Sequence, residues 1–364
     1  MNYEKDGMEF SDTITSTRLI TYENRPRYYR QVLIVKGPRT YKQKKKKGVW
    51  ASYLRDFERE KWNPKKTAND FLETYKVHAI VVHSLESLIK TKYKNRGQIN
   101  KFGTVKGTGF KIGDLILMAI KWLRGNPMAD ICETFGSRPR AARRAVTLAF
   151  KLLEEFAFVF RKGQMTPEEE KTVRERLAKK GVPFPEIVYV GDCTDIPVWC
   201  SDDTYFTYKR CCPSTHALRC LVILRRDTMT PVFVMSGAPP NGPDGSDTNM
   251  LLTSAFDDYA RSVGCKVMYD QGLAQGDVKW VVTNEGQSDE FKKARGRVEA
   301  FFALCKNRFP AFHKAIPLGS PPRIHKHMRR WKVAMILAQL TYLAEVDIAK
   351  IEDRPPRKDL LSLI

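Results

Sequence analysis

The chain has 364 residues, of which 42% are hydrophobic, so it can bury a sizeable core over two or three domains. Its 63 lysine and arginine residues against 41 aspartate and glutamate residues give a formal net charge of +22, which is typical of a nucleic-acid-binding protein. No apolar run approaches the roughly 20 residues of a membrane-spanning helix, and the first residues lack a secretory hydrophobic region. We therefore expect a folded protein without a membrane partner, a basic ribosomal-type protein being the plain alternative.

The eight cysteines contain no Cys-x-x-Cys pair, which indicates reduced thiols in a cytosolic or nuclear protein and argues against a disulfide framework. A zinc site is the weaker alternative, because its candidate ligands include two adjacent cysteines that do not fit the usual ligand spacing. These candidates are Cys193, Cys200, Cys211, Cys212 and His216.

Residues 1–70 form a basic, irregularly patterned region without an evident compact unit. The lysine-rich run at residues 42–47 is typical of a nuclear import signal or a phosphate-binding arm, although a solvated charge patch is the commoner explanation. We expect a nuclear location, with the cytoplasm as the alternative. Part of this region is expected to pack as a helix, because it contains four aromatic residues, Trp50, Tyr53, Phe57 and Trp62.

Residues 71–165 are predicted to form a helical domain, because apolar residues recur at helical spacing in residues 71–88 and 112–123. Within it, residues 128–135 predict a short helix that ends at Gly136. Ser137 is then expected to cap a second helix that has Pro139 in its first turn.

The second of these helices begins with a strongly basic segment. Two helices joined by a tight glycine turn, the second one basic, are typical of a helix-turn-helix that contacts DNA. An ordinary helical hairpin with solvated arginines is the alternative. The residues expected to bind DNA are Arg138, Arg140, Arg143 and Arg144.

A helical linker is expected at residues 166–185, where Thr166 and Glu169 form the capping box of a charged helix. Residues 186–364 then predict an α/β domain in which helices flank a mixed sheet. The predicted strands span residues 186–199, 205–209, 218–224, 231–235 and 265–269, and the predicted helices span residues 249–263 and 328–346.

Asp192 and Asp270 stand at the ends of predicted strands, and Glu299 stands on a predicted helix. Carboxylates suit the hard ions Mg²⁺ and Mn²⁺, and three of them can hold two ions about 3.5–4 Å apart for cleavage or strand transfer at a phosphodiester. Arg295 and Lys306 share the helix face of Glu299 and are expected to contact DNA phosphates, a solvated basic face being the alternative.

Four segments, in this order, resemble motifs of the PIF/Harbinger transposases, a eukaryotic branch of the DDE superfamily. Gly191-Asp192-Cys-Thr-Asp-Ile-Pro197 is similar to the first-aspartate motif, and Gly245-Ser-Asp247-Thr-Asn-Met-Leu251 is similar to the segment before the second aspartate. Tyr269-Asp270-Gln-Gly272 resembles the second-aspartate motif, and Arg295-x₃-Glu299-x₆-Lys306 resembles the signature around the glutamate. The resemblance covers roughly residues 110–350.

The resemblance implies a ribonuclease-H-like catalytic fold and a metal-dependent transposase or nuclease that acts on double-stranded DNA at transposon ends and targets. Asp192, Asp270 and Glu299 would be the catalytic residues and the metal ligands, with two Mg²⁺ or Mn²⁺ ions as cofactors. A Myb-like accessory DNA-binding protein is an implied partner, and a second copy of this chain is a further candidate.

The chain departs from the family pattern in three places. Lys292 stands in place of a tyrosine, Asp195 stands in place of a histidine, and the usual serine after the second aspartate is missing. We expect Asp195 to share the strand face of Asp192 and to cap the chain or pair with a basic neighbour, outside the triad. Two other functions remain open: a domesticated, catalytically silent DNA-binding protein and a structural protein that recruits partners.

Overall fold

The computed structural model leaves several predicted features outside the residues that it describes, namely the lysine run at residues 42–47, Trp62, the strand at residues 205–209, and Cys200, Cys211 and Cys212. The described residues are 48–59, 64–95, 97, 99–100, 104–155, 165–199, 216–238, 245–270, 281–283, 288–313, 316–317 and 321–351.

Helices precede, interrupt and follow the strands. In chain order they are α1 (Val49–Arg59), α2 (Pro64–Tyr75), α3 (Ala79–Asn95), α4 (Ile112–Leu123), α5 (Met128–Phe135), α6 (Pro139–Glu154), α7 (Pro167–Lys179), α8 (Asp247–Leu252), α9 (Ala255–Val263), α10 (Asp289–Arg308) and α11 (Pro321–Ile351). A 3₁₀ turn, Pro310–Phe312, follows α10.

The described strands form a mixed sheet. In chain order they are β1 (Tyr189–Trp199), β2 (Ala217–Arg225), β3 (Pro231–Ala238), β4 (Val267–Met268), β5 (Val281–Val282) and β6 (Ile316–Pro317). The order across the sheet is β3-β2-β1-β4-β5. Strands β1 to β3 are antiparallel neighbours, whereas β4 runs parallel to β1 and β5 runs parallel to β4. The short strand β6 pairs in parallel with the far end of β1.

Buried apolar residues cover both faces of the sheet. One face, which includes Val190 and Met268, packs against α10 and α11, and its core is continuous with that of the helices from α1 to α6. The other face, which includes Tyr189 and Val267, packs against α7, α8 and α9. The predicted α/β class, a mixed sheet flanked by helices, is therefore confirmed. The domain limits at residues 70, 165 and 185 stay predictions.

Helix α1 docks onto α4 through Trp50, which is 3% exposed. The indole ring reaches the α4 backbone because Gly113 has no side chain: a Cβ there would lie 2.0 Å from Cδ1 of Trp50. The Trp50 ring N–H donates to Glu86 at 2.7 Å, and its backbone N–H donates to Asp114 at 2.9 Å. The expectation that part of residues 1–70 packs as a helix is confirmed for α1.

Gly136 ends α5 in the left-handed conformation at a φ of 59°, as expected. The expected cap by Ser137 is wrong, because Arg138 is the N-cap residue of α6 and its side chain makes no capping bond. Pro139 explains the shift: its fixed φ makes it the first helical residue, which leaves the serine outside the helix.

Farther along the chain, the capping box of Thr166 and Glu169 at the start of α7 is confirmed. The single helix predicted at residues 249–263 divides into α8 and α9, because the hydroxyl of Ser254 caps a new helix by accepting from the N–H of Asp257. Within the described part of the chain, no helix combines the length and the apolar character needed to cross a membrane.

Candidate functional site

The pairing of β1 with β4 brings the two predicted aspartates together. The parallel register joins Val190 to Met268. Strand β4 ends at this pair, so Asp192 lies two residues farther along β1 and Asp270 lies two residues beyond the end of β4. Neighbouring strands lie about 4.8 Å apart, so this pairing brings two chain segments that are 78 positions apart to the same part of the sheet.

Tyr269 shows which way the two aspartates point. Its hydroxyl lies 3.4 Å from Sγ of Cys193, and its ring fills the space beside Gly191, so its side chain shares a face with these two residues. Side chains alternate along a strand, so Asp192, between Gly191 and Cys193 on β1, points to the opposite face, on which α10 packs. Asp270 follows Tyr269 beyond the end of β4, and an extended backbone there would turn its side chain to the same face as Asp192. Tyr269 is buried, whereas Asp270 is exposed.

Gly191 is required by the packing of Tyr269. A Cβ at Gly191 would lie 2.6 Å from Cδ1 of Ile223 and 2.8 Å from the Tyr269 ring. We expect Gly191→Ala to lower the free energy of unfolding by about 1–3 kcal/mol through overpacking, as measured by urea denaturation. Gly296→Ala on α10 is the control, because a Cβ there meets no described atom within 4 Å, and alanine should raise helix stability by about 0.5–1 kcal/mol. Equal effects of the two substitutions would contradict the tight fit at Gly191.

Helix α10 carries Glu299 to the same face of the sheet. The Ser288 hydroxyl fixes the start of this helix by accepting from the N–H of Phe291 at 3.2 Å. One turn before Glu299, the Arg295 guanidinium donates through Nη2 to Oε1 of Glu299 at 2.6 Å. Through Nη1 it also contacts Oδ2 of Asp192 at 3.5 Å. A single guanidinium thus joins a carboxylate of β1 to a carboxylate of α10.

Asp192 is the most strongly perturbed carboxyl group of this site. Burial is the main cause that raises the pKa of Asp192 to about 7, and the carboxylates of Asp247 and Glu299 raise it further. The backbone N–H of Cys193, which donates to Oδ1 at 2.8 Å, and the guanidinium of Arg295 oppose this shift. Additional positive charge at this position would therefore stabilise the ionised form of Asp192.

Asp247 and Arg219 belong to the surroundings of the site, although the predicted site residues do not include them. Arg219 on β2 is 8% exposed and binds Asp247 at 2.8 Å and Asp195 at 3.0 Å. The segment around Asp247 is one of the four motifs found in the sequence. Its partner Arg219, however, lies 28 residues earlier, on strand β2, so no local spacing identifies the pair.

Asp195 lies on the opposite face of β1 from Asp192, so the expectation that they share a face is wrong. An offset of three residues reverses the side-chain direction in a strand, whereas an even offset keeps it. The expected pairing with a basic neighbour is confirmed, since Arg219 contacts both carboxylate oxygens of Asp195, at 3.0 and 3.3 Å.

Lys306 connects α10 to β1 through a hydrogen bond. Its Nζ donates to the backbone carbonyl of Asp195 at 3.1 Å, and burial lowers the pKa of the Lys306 ammonium group. Its expected contact with phosphate stays a prediction. Lys292, at the other end of the same helix, is exposed.

The three predicted ligands have the chemistry of a site for a hard divalent ion, because each offers carboxylate oxygens. Among the described residues, however, no three His, Cys, Asp or Glu side chains lie close enough together to hold one metal ion. The positively charged group that lies between the carboxylates of Asp192 and Glu299 is the guanidinium of Arg295. The donor set fits Mg²⁺ or Mn²⁺ in kind, and a shared ion requires the carboxylates to come closer together.

The basic face of α6 forms a second candidate site. All four predicted arginines are exposed there, whereas Ala142, Ala145 and Val146 on the other side of the helix are buried. A groove of about 340 Å³ continues this face along the helix, and it is lined by Arg143, Arg144, Thr147, Leu148 and Lys151. The structure brings Arg143, Arg144 and Lys151 onto one groove, and the contact of the four arginines with DNA stays a prediction.

No family model, curated protein or solved structure matches this chain. The resemblance to the PIF/Harbinger transposases therefore depends on the four ordered motifs.

Proposed function

We propose that this protein is a metal-dependent DNA transposase or endonuclease of the PIF/Harbinger type, which cleaves and joins DNA phosphodiesters. The observation that carries the proposal is the parallel pairing of β1 with β4, which supports a location of Asp192 and Asp270 near each other on the side of the sheet where α10 packs. Glu299 is tied to Asp192 through Arg295 and completes the proposed set. The link from a carboxylate of β1 to a carboxylate of α10 through one guanidinium favours a site over scattered surface charges.

The sheet supports the same proposal. The order β3-β2-β1-β4-β5, with β1 to β3 antiparallel and with β4 and β5 parallel to β1, is compatible with a ribonuclease-H-like domain. In such an open sheet, side chains at the ends of central strands face the ligand crevice. Asp270 follows β4 and has this location. The expectation that Asp192 also stands at a strand end is wrong, because it is the fourth residue of the eleven-residue strand β1; it lies two residues past the pairing of β1 with β4.

In this proposal, Asp192, Asp270 and Glu299 are the catalytic residues and the ligands of two Mg²⁺ or Mn²⁺ ions. Such ions activate a water or a 3′-hydroxyl and stabilise the leaving oxygen. Arg295 offers a two-pronged donor for a DNA phosphate, and Lys306 adds positive charge beside β1. The burial of Asp192 keeps bulk water from screening these charges.

Double-stranded DNA is the proposed substrate, with α6 as the recognition helix of a helix-turn-helix formed by α5, Gly136 and α6. The exposed arginines and the left-handed glycine turn support this assignment. A nuclear location, a Myb-like accessory DNA-binding protein and a second copy of the chain belong to the same proposal.

A catalytically silent DNA-binding protein is the second candidate. It is favoured by the open arrangement of the acids, since no group of three potential ligands is closed around one point within the described residues. In this case the α/β domain is a scaffold, and the basic face of α6 carries the function.

Incubation of the purified chain with supercoiled plasmid in Mg²⁺, Mn²⁺ or EDTA separates the two candidates, with nicked and linear products resolved on a gel. We expect cleavage with either metal and none with EDTA. Inactivity in both metals, together with tight and salt-sensitive DNA binding, would favour the silent DNA-binding protein. Absence of DNA affinity would overturn both candidates and favour a structural, partner-recruiting protein.

Joint replacement of Arg143 and Arg144 by glutamine tests the recognition helix. We expect the slope of log affinity against log salt to become shallower by about 1.8, since each lost phosphate contact contributes about 0.9. Fluorescence anisotropy with duplex DNA over a KCl series measures this slope. Arg174→Gln with Arg176→Gln, which removes the same charge from α7, is the control, and an equal change in both double variants would contradict a role specific to α6.

A further inference from the structure

Arg295 occupies the position between two proposed metal ligands. Its guanidinium lies 2.6 Å from Oε1 of Glu299 and 3.5 Å from Oδ2 of Asp192. The side chains of Arg295 and Asp192 are only 20% and 15% exposed, whereas that of Glu299 is 56% exposed. The bridge is therefore short but open to solvent at Glu299, and longer but less exposed at Asp192.

A divalent ion and this guanidinium cannot bind Oδ2 of Asp192 and Oε1 of Glu299 at the same time. Metal–oxygen bonds of about 2.0–2.6 Å would draw the carboxylates of Asp192 and Glu299 together and leave no room for a planar group between them. The Arg295 side chain is 20% exposed, so it already borders solvent on one side and can turn toward it. The contact to Glu299 is also the solvent-exposed one, which makes it the easier of the two to break.

On the basis of the proposed function, we propose that Arg295 is a positioning residue that bridges Asp192 and Glu299 until a divalent ion displaces it. In the metal-free protein the single positive charge of the guanidinium offsets part of the negative charge of the two carboxylates, and its contacts tie α10 to β1. When the ion takes over the two carboxylates, the released guanidinium is free to bind a DNA phosphate with its two-pronged donor. Arg295 thus competes with the metal before DNA binds.

Titration of the full chain with Mn²⁺ in the absence of DNA, followed by electron paramagnetic resonance of the free ion, tests this role. Arg295→Gln is expected to bind Mn²⁺ about tenfold more tightly than the wild type, because the ion no longer displaces a charge-assisted pair. Arg297→Gln removes the same charge from the same helix and is expected to change the dissociation constant by less than about threefold. Glu299→Gln is expected to weaken binding.

An unchanged or weaker Mn²⁺ affinity of Arg295→Gln, with a clear loss in Glu299→Gln, would overturn this inference and leave the proposed metal site intact. Binding that is absent from the wild type, or insensitive to Glu299→Gln, would overturn the proposed site as well. Arg295→Lys keeps the charge and loses the planar fork, so its affinity is expected to lie between those of the wild type and Arg295→Gln. If Arg295→Gln fails to fold by circular dichroism, Arg295→Lys decides, and affinity equal to that of the wild type would count against the proposal.

Discussion

Glu299→Gln is expected to reduce Mg²⁺-dependent DNA cleavage more than about a hundredfold, because loss of residues that only support a metal ligand already costs about 10–100-fold. The amide keeps the size of the side chain but lacks the negative charge that holds a hard ion. The fold should persist, since the side chain is 56% exposed and its pair with Arg295 contributes at most about 1 kcal/mol. DNA affinity should also persist, because the substitution removes no cation.

Glu290→Gln is the matched control for this substitution. Glu290 is exposed in the first turn of the same helix, so the variant has the same charge change without touching the proposed site. Single-turnover nicking of duplex DNA measures the cleavage rate, and anisotropy in EDTA measures binding. Cleavage by Glu299→Gln at the wild-type rate would contradict the catalytic assignment.

Helix limits could be predicted from the sequence where one or two nearby residues decide the local geometry. Gly136 ends α5 because it adopts a positive φ without strain, and the capping box of Thr166 and Glu169 starts α7. The Ser254 cap that separates α8 from α9 is a signal of the same kind. It was missed because the apolar spacing of residues 249–263 is continuous and predicts a single helix. These features depend on a few neighbouring residues and can therefore be predicted from the sequence.

The candidate site depends on contacts between residues far apart in the chain. A slip of one residue between β1 and β4 would turn Asp270 to the other face of the sheet, and no local pattern near either strand sets this register. The motif resemblance predicted which acids to compare. It could not predict the bridge of Arg295 between Asp192 and Glu299, because that contact depends on how α10 is rotated against β1.

Arg226→Met is expected to lower the free energy of unfolding by about 3–5 kcal/mol. Arginine is usually exposed, yet Arg226 is 1% exposed and its guanidinium donates to the carbonyls of Pro183, Phe184 and Ile187 at 2.6–2.7 Å. Burial lowers the pKa of Arg226 to about 10, so the group still carries its charge at neutral pH. Methionine would fill much of the volume but leave the carbonyls without their charged donor.

The substitution should also loosen the start of β1, because the three carbonyls belong to the segment that directly precedes this strand. Phe184 has a φ of 54°, a conformation that costs a residue with a side chain about 1–2 kcal/mol, and the hydrogen bonds from Arg226 offset that cost. Arg174→Met is the control: its side chain is 48% exposed and makes one pair, with the buried Glu170, so a smaller loss than for Arg226→Met is expected. Urea denaturation followed by circular dichroism measures both variants. Similar losses of unfolding free energy in the two variants would contradict this role of Arg226, because a buried guanidinium that holds three carbonyls should contribute more to stability than a half-exposed one that makes a single pair.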